Sequence, residues 1–320
     1  MTFHIAVDGG QSGLRLALFK NRERVYDARA RGFNHQASSD RVESLAEDVT
    51  DAIRDALGRF DESISVERIC LGLTGAPRAT EDRARLAKKL RSNLDAGEVC
   101  LGPDMVTSHA GALRGKPGVV LAAGTGVVCL GIAPNGVWAQ GDGHGFLLGD
   151  DGSGFAIGQA GLRAVLRELD GRGPVTAMSA AAELQFGPLA FLSSIIYRSD
   201  TFVSDIAGFA PHVARAARGG DPVARRIWSF AAEQLAQTAS AVVQRTFIDS
   251  EPASVAVSCV GQLFCVSDLL ATPFQAALER ICPAADVQPA MGDGLDGAAA
   301  IALGDLEFYA PMMHYERTPQ

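Results

Sequence analysis

A three-strand pattern occurs twice in the sequence and constrains its fold more than any other feature. In the first copy, apolar segments at 3–7, 14–19 and 24–30 are separated by Asp8-Gly9-Gly10-Gln11-Ser12-Gly13 and by a polar turn. In the second copy, at 119–139, three short segments are separated by Gly124-Thr125-Gly126 and Pro134-Asn135-Gly136. Short apolar segments joined by Gly-rich turns are typical of antiparallel strands, and recurrence indicates internal duplication. We therefore predict two related domains, each beginning with a three-stranded meander.

Helices and strands alternate through the rest of the first half. Apolar residues at helical spacing from Val42 to Leu57 predict a helix with Ser39 as N-cap and Gly58 at its end. The further predicted elements are strand 68–73, helix 81–94, strand 98–101 and helix 106–113. In mixed sheets of this kind, ligands bind beyond the carboxyl ends of strands. Asp104 lies at such a strand end and opens a helix, so it either caps that helix or faces a ligand.

The second half is mostly helical after Gly154. The predicted elements there are helices 155–169, 175–184, 188–197, 204–218 and 221–247, strand 253–259, helix 263–280, strand 286–288 and helix 298–303. We predict an N-terminal domain at 1–117 and a C-terminal domain at 118–320 that carries a helical insertion at about 155–250. The final helix is free to pack back on the N-terminal domain.

Composition excludes several classes of function. The chain has 320 residues, of which 47% are hydrophobic and 21% charged, as in ordinary soluble proteins. A net charge of −8 without a basic cluster argues against nucleic-acid binding. The chain has neither a recognisable signal peptide nor an apolar run of about 18 residues. Its six cysteines are scattered, without a C-x-x-C pair. We therefore expect a cytoplasmic protein that binds neither membrane nor nucleic acid.

Motifs along the chain resemble, in order, those of the N-acetylglucosamine kinase and BadF/BadG-type ATPase family, part of the actin-like ATPase and sugar kinase superfamily. The matching segments are Asp8-Gly9-Gly10-Gln11-Ser12, Asn34, 72–75, Asp104, Gly124-Thr125-Gly126, 145–154, Cys259-Val260-Gly261 and Gly297-Ala298-Ala299. The segment Gly149-Asp150-Asp151-Gly152-Ser153-Gly154 is the most specific to the family. The resemblance implies an α/β fold of two duplicated ribonuclease H-like domains, with mixed five-stranded sheets and a cleft between them.

The resemblance also implies ATP-dependent phosphorylation of an amino sugar, N-acetylglucosamine first of all. Asp104 would accept the proton of the attacking hydroxyl, and Asp8 would hold Mg²⁺ through water. ATP would be bound by Gly9, Gly10, Gln11, Ser12, Arg15, Thr125, Gly126, Gly261 and Gln262. The sugar would be bound by Asn34, His35, Gly124, Thr125, His144 and Asp150. Asp151 would support the glycine loop or the metal. The partners implied are a sugar and ATP, and a homodimer is compatible with the resemblance.

Departures from the family pattern leave the sugar open. Asp151 stands where Glu is usual, His144 where Trp is usual, and Val127-Val128 where Ser or Asn is typical. Phosphorylation of glucosamine or another hexose is therefore an alternative. A second alternative is an ATPase that activates a 2-hydroxyacyl-CoA dehydratase, but the scattered cysteines argue against the [4Fe–4S] cluster that it needs. A third is a non-catalytic sugar sensor, a class that usually carries an added helix-turn-helix.

Overall fold

The computed structural model describes residues 2–10, 13–32, 41–60, 64–77, 79–249, 252–304 and 307–318. Residue contacts divide the chain into two compact units, Met1–Lys116 with Ala290–Gln320, and Pro117–Pro289. The sequence analysis assigned 118–320 to the second domain and left only the final helix free to pack on the first. In the structure the whole segment Ala290–Gln320 belongs to the first unit.

Eleven strands occur in the described part of the chain. They are β1 (Thr2–Gly10), β2 (Gly13–Lys20), β3 (Glu23–Ala30), β4 (Ser65–Leu73), β5 (Ala96–Pro103), β6 (Gly118–Ala123), β7 (Val127–Ile132), β8 (Trp138–Asp142), β9 (Val255–Val260), β10 (Ala285–Gln288) and β11 (His314–Arg317).

Eleven α-helices occur in the same residues. They are α1 (Arg41–Leu57), α2 (Thr80–Leu94), α3 (Asp104–Leu113), α4 (Gly154–Leu169), α5 (Met178–Phe186), α6 (Leu192–Arg198), α7 (Phe202–Ala207), α8 (Ala210–Arg218), α9 (Pro222–Thr246), α10 (Thr272–Ile281) and α11 (Gly294–Ala302). Short 3₁₀ helices lie at Leu189–Phe191, Gln262–Cys265 and Glu307–Met312, and a π-helical turn lies at Ser267–Ala271.

The two units share one sheet topology, as the repeated meander predicts. In the first, β1, β2 and β3 form an antiparallel meander, β4 pairs parallel with β1, and β5 pairs parallel with β4. In the second, β6, β7 and β8 form the meander, β9 pairs parallel with β6, and β10 pairs parallel with β9. The predicted α/β fold with two mixed sheets is therefore confirmed.

One strand departs from the prediction of five strands in each sheet. The first sheet has six described strands, because β11 pairs antiparallel with the outer edge of β5. The sequence His314-Tyr315-Glu316-Arg317 lacks the apolar alternation by which a strand is recognised. Its attachment is partly ionic, because the Nε of Arg317 donates to Glu98 at 2.7 Å. Polar side chains on an edge strand also discourage pairing with other chains.

Two helix boundaries differ from the prediction for local reasons. The predicted helix 263–280 is broken into a 3₁₀ helix, a π-helical turn and α10, and α10 carries Pro273 in its first turn. Proline has no N–H to donate and is favoured where a helix begins. The predicted helix 298–303 begins earlier, at Gly294, because Asp293 caps it.

Each unit has its own buried apolar core. In the first, Val42, Leu45, Val49 and Ile53 of α1 pack with strand residues such as Ile69. In the second, the described helices α4–α9 follow β8 and precede β9 in the sequence. They contribute to a core that includes Trp228. In the described residues no single helix is long and apolar enough to cross a membrane, although α5 and the 189–198 segment, bent by 69°, pass that test as a pair.

Candidate functional site

Three parallel strands of the first unit end at one edge of the sheet. Register pairs Asp8 of β1 with Gly72 of β4, and Gly72 with Gly102 of β5. The residues at or just beyond these strand ends are Asp8, Thr74 and Asp104, and they are brought together because neighbouring parallel strands share a carboxyl edge. We call this set the acidic edge.

Asp104 is the first residue of α3, and the N-cap position is held by Pro103, so Asp104 is not the N-cap residue. The Oγ1 of Thr74 donates to the Oδ2 of Asp104 at 2.6 Å. Burial raises the pKa of Asp104 and the nearby Asp8 carboxylate raises it further, while the Thr74 hydroxyl and the backbone N–H groups of Asp104 and Met105 oppose this rise. A partly buried carboxylate with a raised pKa and a fixed orientation is suited to accept a proton.

Thr74 is the residue of this edge to which sequence reasoning gave no role. Its backbone N–H donates to the carbonyl of Gly9 at 2.8 Å, which attaches the end of β4 to the glycine turn after β1. A Cβ at Gly10 would lie 2.8 Å from the Oγ1 of Thr74, so this hydroxyl occupies the space that glycine leaves. A short polar residue directly after a buried strand and before Gly75 was the signal that could have identified it.

Asp8 and Arg15 form an ion pair at the start of the meander. The Nε and Nη2 of Arg15 donate to the Oδ2 of Asp8 at 3.0 and 2.5 Å. The Nη1 of Arg15 donates to the Oδ2 of Asp293 at 2.6 Å. Burial disfavours the charged form of Arg15, but its bonds to Asp8 and Asp293 outweigh burial and raise its pKa. Arg15, expected to contact the nucleotide, thus has two carboxylate partners in this structure.

The second unit carries a glycine loop at the corresponding sheet edge. The N–H of Gly124 donates to the carbonyl of Gly126 at 2.9 Å, which closes the turn between β6 and β7. The first residues of α4 attach to the same loop, since Gly154 donates to Gly124 at 2.8 Å and Phe155 to Thr125 at 3.2 Å. A Cβ at Gly124 would meet nothing within 4 Å, and Thr125 is exposed. The loop is therefore supported from within its unit and open at Gly124.

Two carboxylates of the second unit, those of Asp150 and Asp142, bind the backbone next to this loop and in the segment 144–151. The buried Asp150 accepts from the N–H of Val127 at 2.8 Å through Oδ1, and a Cβ at Gly126 would lie 2.8 Å from the same oxygen. Asp142 accepts from the N–H groups of His144, Asp150 and Asp151 at 3.3, 2.9 and 3.2 Å. Asp151 is predicted to support the glycine loop or the metal; the observed carboxylate contact with the glycine loop comes from Asp150.

The remaining predicted residues of the second unit lie close to this loop or at the end of β9. Gly261 follows β9 with φ of +101°, and a Cβ there would overlap the carbonyl oxygen of Ala123. Gln262 begins the adjacent 3₁₀ helix and is exposed. His144 is also exposed, and its backbone N–H donates to the carboxylate of Asp142. Gln11, Ser12, Asn34 and His35 lie outside the described residues.

Comparison with known proteins identifies the family of this chain. Residues 5–297 match the profile of the BadF/BadG/BcrA/BcrD ATPase family. The chain belongs to this family. It is 28% identical over 311 residues to the N-acetylmuramic acid/N-acetylglucosamine kinase of Clostridium acetobutylicum, a match that covers 96% of this chain and 100% of that protein. It is 30% identical over 252 residues to the N-acetyl-D-glucosamine kinase of Dictyostelium discoideum, covering 76% and 77% of the two chains.

A solved structure shares the fold of this family member. It is a protein from Chromobacterium violaceum, provisionally named an N-acetylglucosamine kinase, with a TM-score of 0.73 and 24% identity. The match covers 94% of this chain and 98% of that one. At this level of identity the likeness concerns the fold.

The residues of this ATPase family member fit a magnesium–nucleotide complex in two respects. The Oδ1 of Asp8 has no hydrogen-bond partner among the described residues, because Arg15 engages only Oδ2. Mg²⁺ prefers a carboxylate oxygen together with water and phosphate. The open space at Gly124 admits close approach of a phosphate to the backbone. In the described residues, no group of three or more His, Cys, Asp or Glu side chains forms a metal site of its own.

Most of the thiols are poorly placed to hold an iron–sulfur cluster. Cys70, Cys100, Cys129 and Cys282 are buried, whereas Cys259 is partly buried and Cys265 is exposed. Burial raises the pKa of Cys70 and Cys129 well above the ordinary thiol value, and that of Cys259 to about 12. The thiolate is the form that binds metal, so these three groups favour the wrong protonation state. This weighs against the dehydratase-activating alternative.

Proposed function

We propose that the protein is an ATP-dependent kinase that transfers the γ-phosphoryl group of ATP to a hydroxyl of an amino sugar, N-acetylglucosamine first of all. The observation that carries the proposal is Asp104, a partly buried carboxylate of raised pKa held by Thr74 near Asp8. Family membership and two relatives named as N-acetylglucosamine kinases support it.

In this proposal each unit has a separate task. Phosphoryl transfer needs alignment of the reactants and neutralisation of charge on the phosphate oxygens. Asp104 accepts the proton of the attacking hydroxyl, and Thr74 keeps the accepting carboxylate in one orientation. Backbone amides near Gly9 and Gly10, and those of Gly124-Thr125-Gly126, bind phosphate oxygens.

Magnesium supplies charge neutralisation when it is bound, and Asp8 is the residue that would hold it through water. Gly261 and Gln262, which follow the end of β9, border the adenosine. Asn34 and His35 remain predicted sugar ligands. His144 and Asp150 are also predicted sugar ligands. Asp150 would bind the sugar through its Oδ2, because its Oδ1 already accepts from the N–H of Val127.

The test is consumption of ATP by the purified protein across a panel of sugars. The panel contains N-acetylglucosamine, N-acetylmuramic acid, glucosamine and glucose, and mass spectrometry identifies the phosphorylated product. We expect sugar-dependent turnover with the highest kcat/KM for an N-acetylated sugar. A higher kcat/KM for glucosamine or glucose would move the proposal to the hexose alternative. ATP hydrolysis that no sugar stimulates would overturn the kinase assignment itself.

A further inference from the structure

Asp293 uses its two carboxylate oxygens for two different purposes at the start of α11. The Oδ1 accepts from the N–H groups of Leu295 and Asp296 at 2.9 and 3.2 Å. The Oδ2 of Asp296 in turn accepts from the N–H of Asp293 at 3.0 Å. This reciprocal arrangement is a capping box. The Oδ2 accepts from the Nη1 of Arg15 at 2.6 Å. The helix cap and the ion pair are therefore chemically separable.

Arg15 transmits the position of Asp293 to Asp8. Its remaining donors, Nε and Nη2, both bind the Oδ2 of Asp8. The Oδ1 of Asp8 then lies beside the first residue of α11, because a Cβ at Gly294 would be 2.7 Å from it. One guanidinium is thus shared between two carboxylates, and one oxygen of Asp8 is left without a bond among the described residues.

The start of α11 is fixed by contacts that do not involve the Asp293 carboxylate. A Cβ at Gly111 of α3 would overlap the carbonyl oxygen of Asp293, and a Cβ at Gly297 would overlap that of Thr107. The N–H of Met291 donates to the carbonyl of Ala112 at 2.9 Å. The backbone at Asp293 is therefore attached to α3, the helix that begins with Asp104.

We propose that Asp293 is a positioning residue for the metal-binding carboxylate, acting through Arg15. Because the Nη1 of Arg15 binds Asp293, Arg15 binds Asp8 less strongly than it otherwise would. The Oδ1 of Asp8 therefore stays directed to metal-bound water. Without the Asp293 charge, Asp8 becomes the one described carboxylate partner of Arg15, and Arg15 competes with Mg²⁺ for it. This inference rests on the proposed function only for the role of Asp8.

The experiment is Asp293→Asn, with calorimetric binding of the non-hydrolysable ATP analogue AMP-PNP in Mg²⁺ and in EDTA. Asn caps helices as well as Asp does but presents no negative charge to Arg15. We expect the gain in AMP-PNP affinity on adding Mg²⁺ to fall about fivefold, the upper end for an exposed ion pair, with affinity in EDTA unchanged. Asp293→Ser, another good cap, replaces this variant if Asn lowers the Tm.

Two controls separate positioning from loss of stability. Asp82→Asn removes an ion pair of the same unit, that with Arg85, and should leave the Mg²⁺ dependence unchanged. In an Arg15→Gln background, Asp293→Asn should have no further effect, because the intermediary is missing. An equal loss of affinity in EDTA, an unchanged Mg²⁺ dependence, or the same effect without Arg15 would overturn the inference.

Failure of the inference and failure of the proposed function give different results. Normal phosphorylation of sugar with unchanged Mg²⁺ dependence in Asp293→Asn removes the positioning role alone. Absence of sugar phosphorylation, with the Mg²⁺ effect intact, removes the kinase assignment and keeps the role of Asp293.

Discussion

The two sheet edges have the same topology but use their carboxylates differently. At the acidic edge of the first unit, Thr74 is the described side-chain partner of Asp104, and Asp8 keeps one oxygen without a described partner. At the glycine loop of the second unit, Asp142 accepts three backbone N–H groups. Asp150 accepts one more and lies against Gly126.

The role of a partly buried acid depends on what its oxygens already bind. Asp142 and Asp150 accept N–H groups of a loop and stabilise it. The pKa of Asp104 is raised by burial despite hydrogen bonds from Thr74 and from two backbone N–H groups, which suits this carboxylate to accept a proton. Changes at the first edge should therefore appear in turnover, and changes at the second edge in stability and in ATP affinity.

The largest expected effect is that of Asp104→Asn on turnover. The change removes the proposed base, so kcat should fall by about 10²–10⁴, with AMP-PNP affinity retained. Because folding raises the pKa of Asp104, the folded state binds this proton more tightly than the unfolded chain. The ionised carboxylate thus lowers stability at neutral pH, and the Tm of Asp104→Asn should equal or exceed that of the wild type. Near-normal kcat would remove the central distinction between the two edges.

Thr74→Val should come next in size. It deletes the hydroxyl that orients Asp104 while keeping the shape of the side chain. Hydrogen bonds to charged groups contribute about 1.5–3 kcal/mol, so kcat should fall by about tenfold or more, measured under saturating ATP and sugar. Thr74→Ser, which keeps the hydroxyl, should remain close to the wild type. Equal losses in Val and Ser would point to packing against Gly10 in place of the hydrogen bond.

Asp142→Ala tests the second unit. Three backbone N–H groups lose their acceptor, and Asp142 sits at φ of +59°, which Ala tolerates poorly. We expect a loss of about 2 kcal/mol in the free energy of unfolding and a higher KM for ATP, with kcat reduced less than by Asp104→Asn. Asp142→Asn, which keeps an acceptor oxygen and suits this backbone region, should show a smaller loss. A kcat effect equal to that of Asp104→Asn would contradict the comparison.

The smallest effect is a displacement of the acid limb of the pH–rate profile. Asp104 must be ionised to accept a proton, so kcat/KM should fall as pH decreases through its raised pKa. The Thr74 hydrogen bond lowers that pKa, and its removal in Thr74→Val should move the acid limb to higher pH. The Thr74→Ser profile should superimpose on that of the wild type. A Val profile displaced to lower pH would mean that another group limits the rate.

The duplicated meander could be predicted from sequence because strand alternation and Gly-rich turns are local signals. Asp104 could be placed at a strand end for the same reason. The pairing of β11 with β5 could not, because it depends on a partner strand distant in sequence. The break before α10 and the role of Thr74 had local signals, namely Pro273 and a short polar residue after a buried strand, but the contact of Thr74 with Gly10 is visible only in the fold. The contact of Asp150 with the glycine loop was equally hidden, because adjacent carboxylates are distinguished only by backbone direction, here at the positive φ of Asp150.

The first unit is assembled from both ends of the chain, whereas the second is one continuous stretch. On the ribosome, the second unit is therefore complete while the first still lacks α11 and β11. Until these two elements are synthesised, the outer edge of β5 lacks β11 and Arg15 lacks Asp293 as a partner. A chain truncated before Asp293 would therefore contain every segment of the glycine loop, whereas Arg15 would retain Asp8 alone of its two described carboxylate partners.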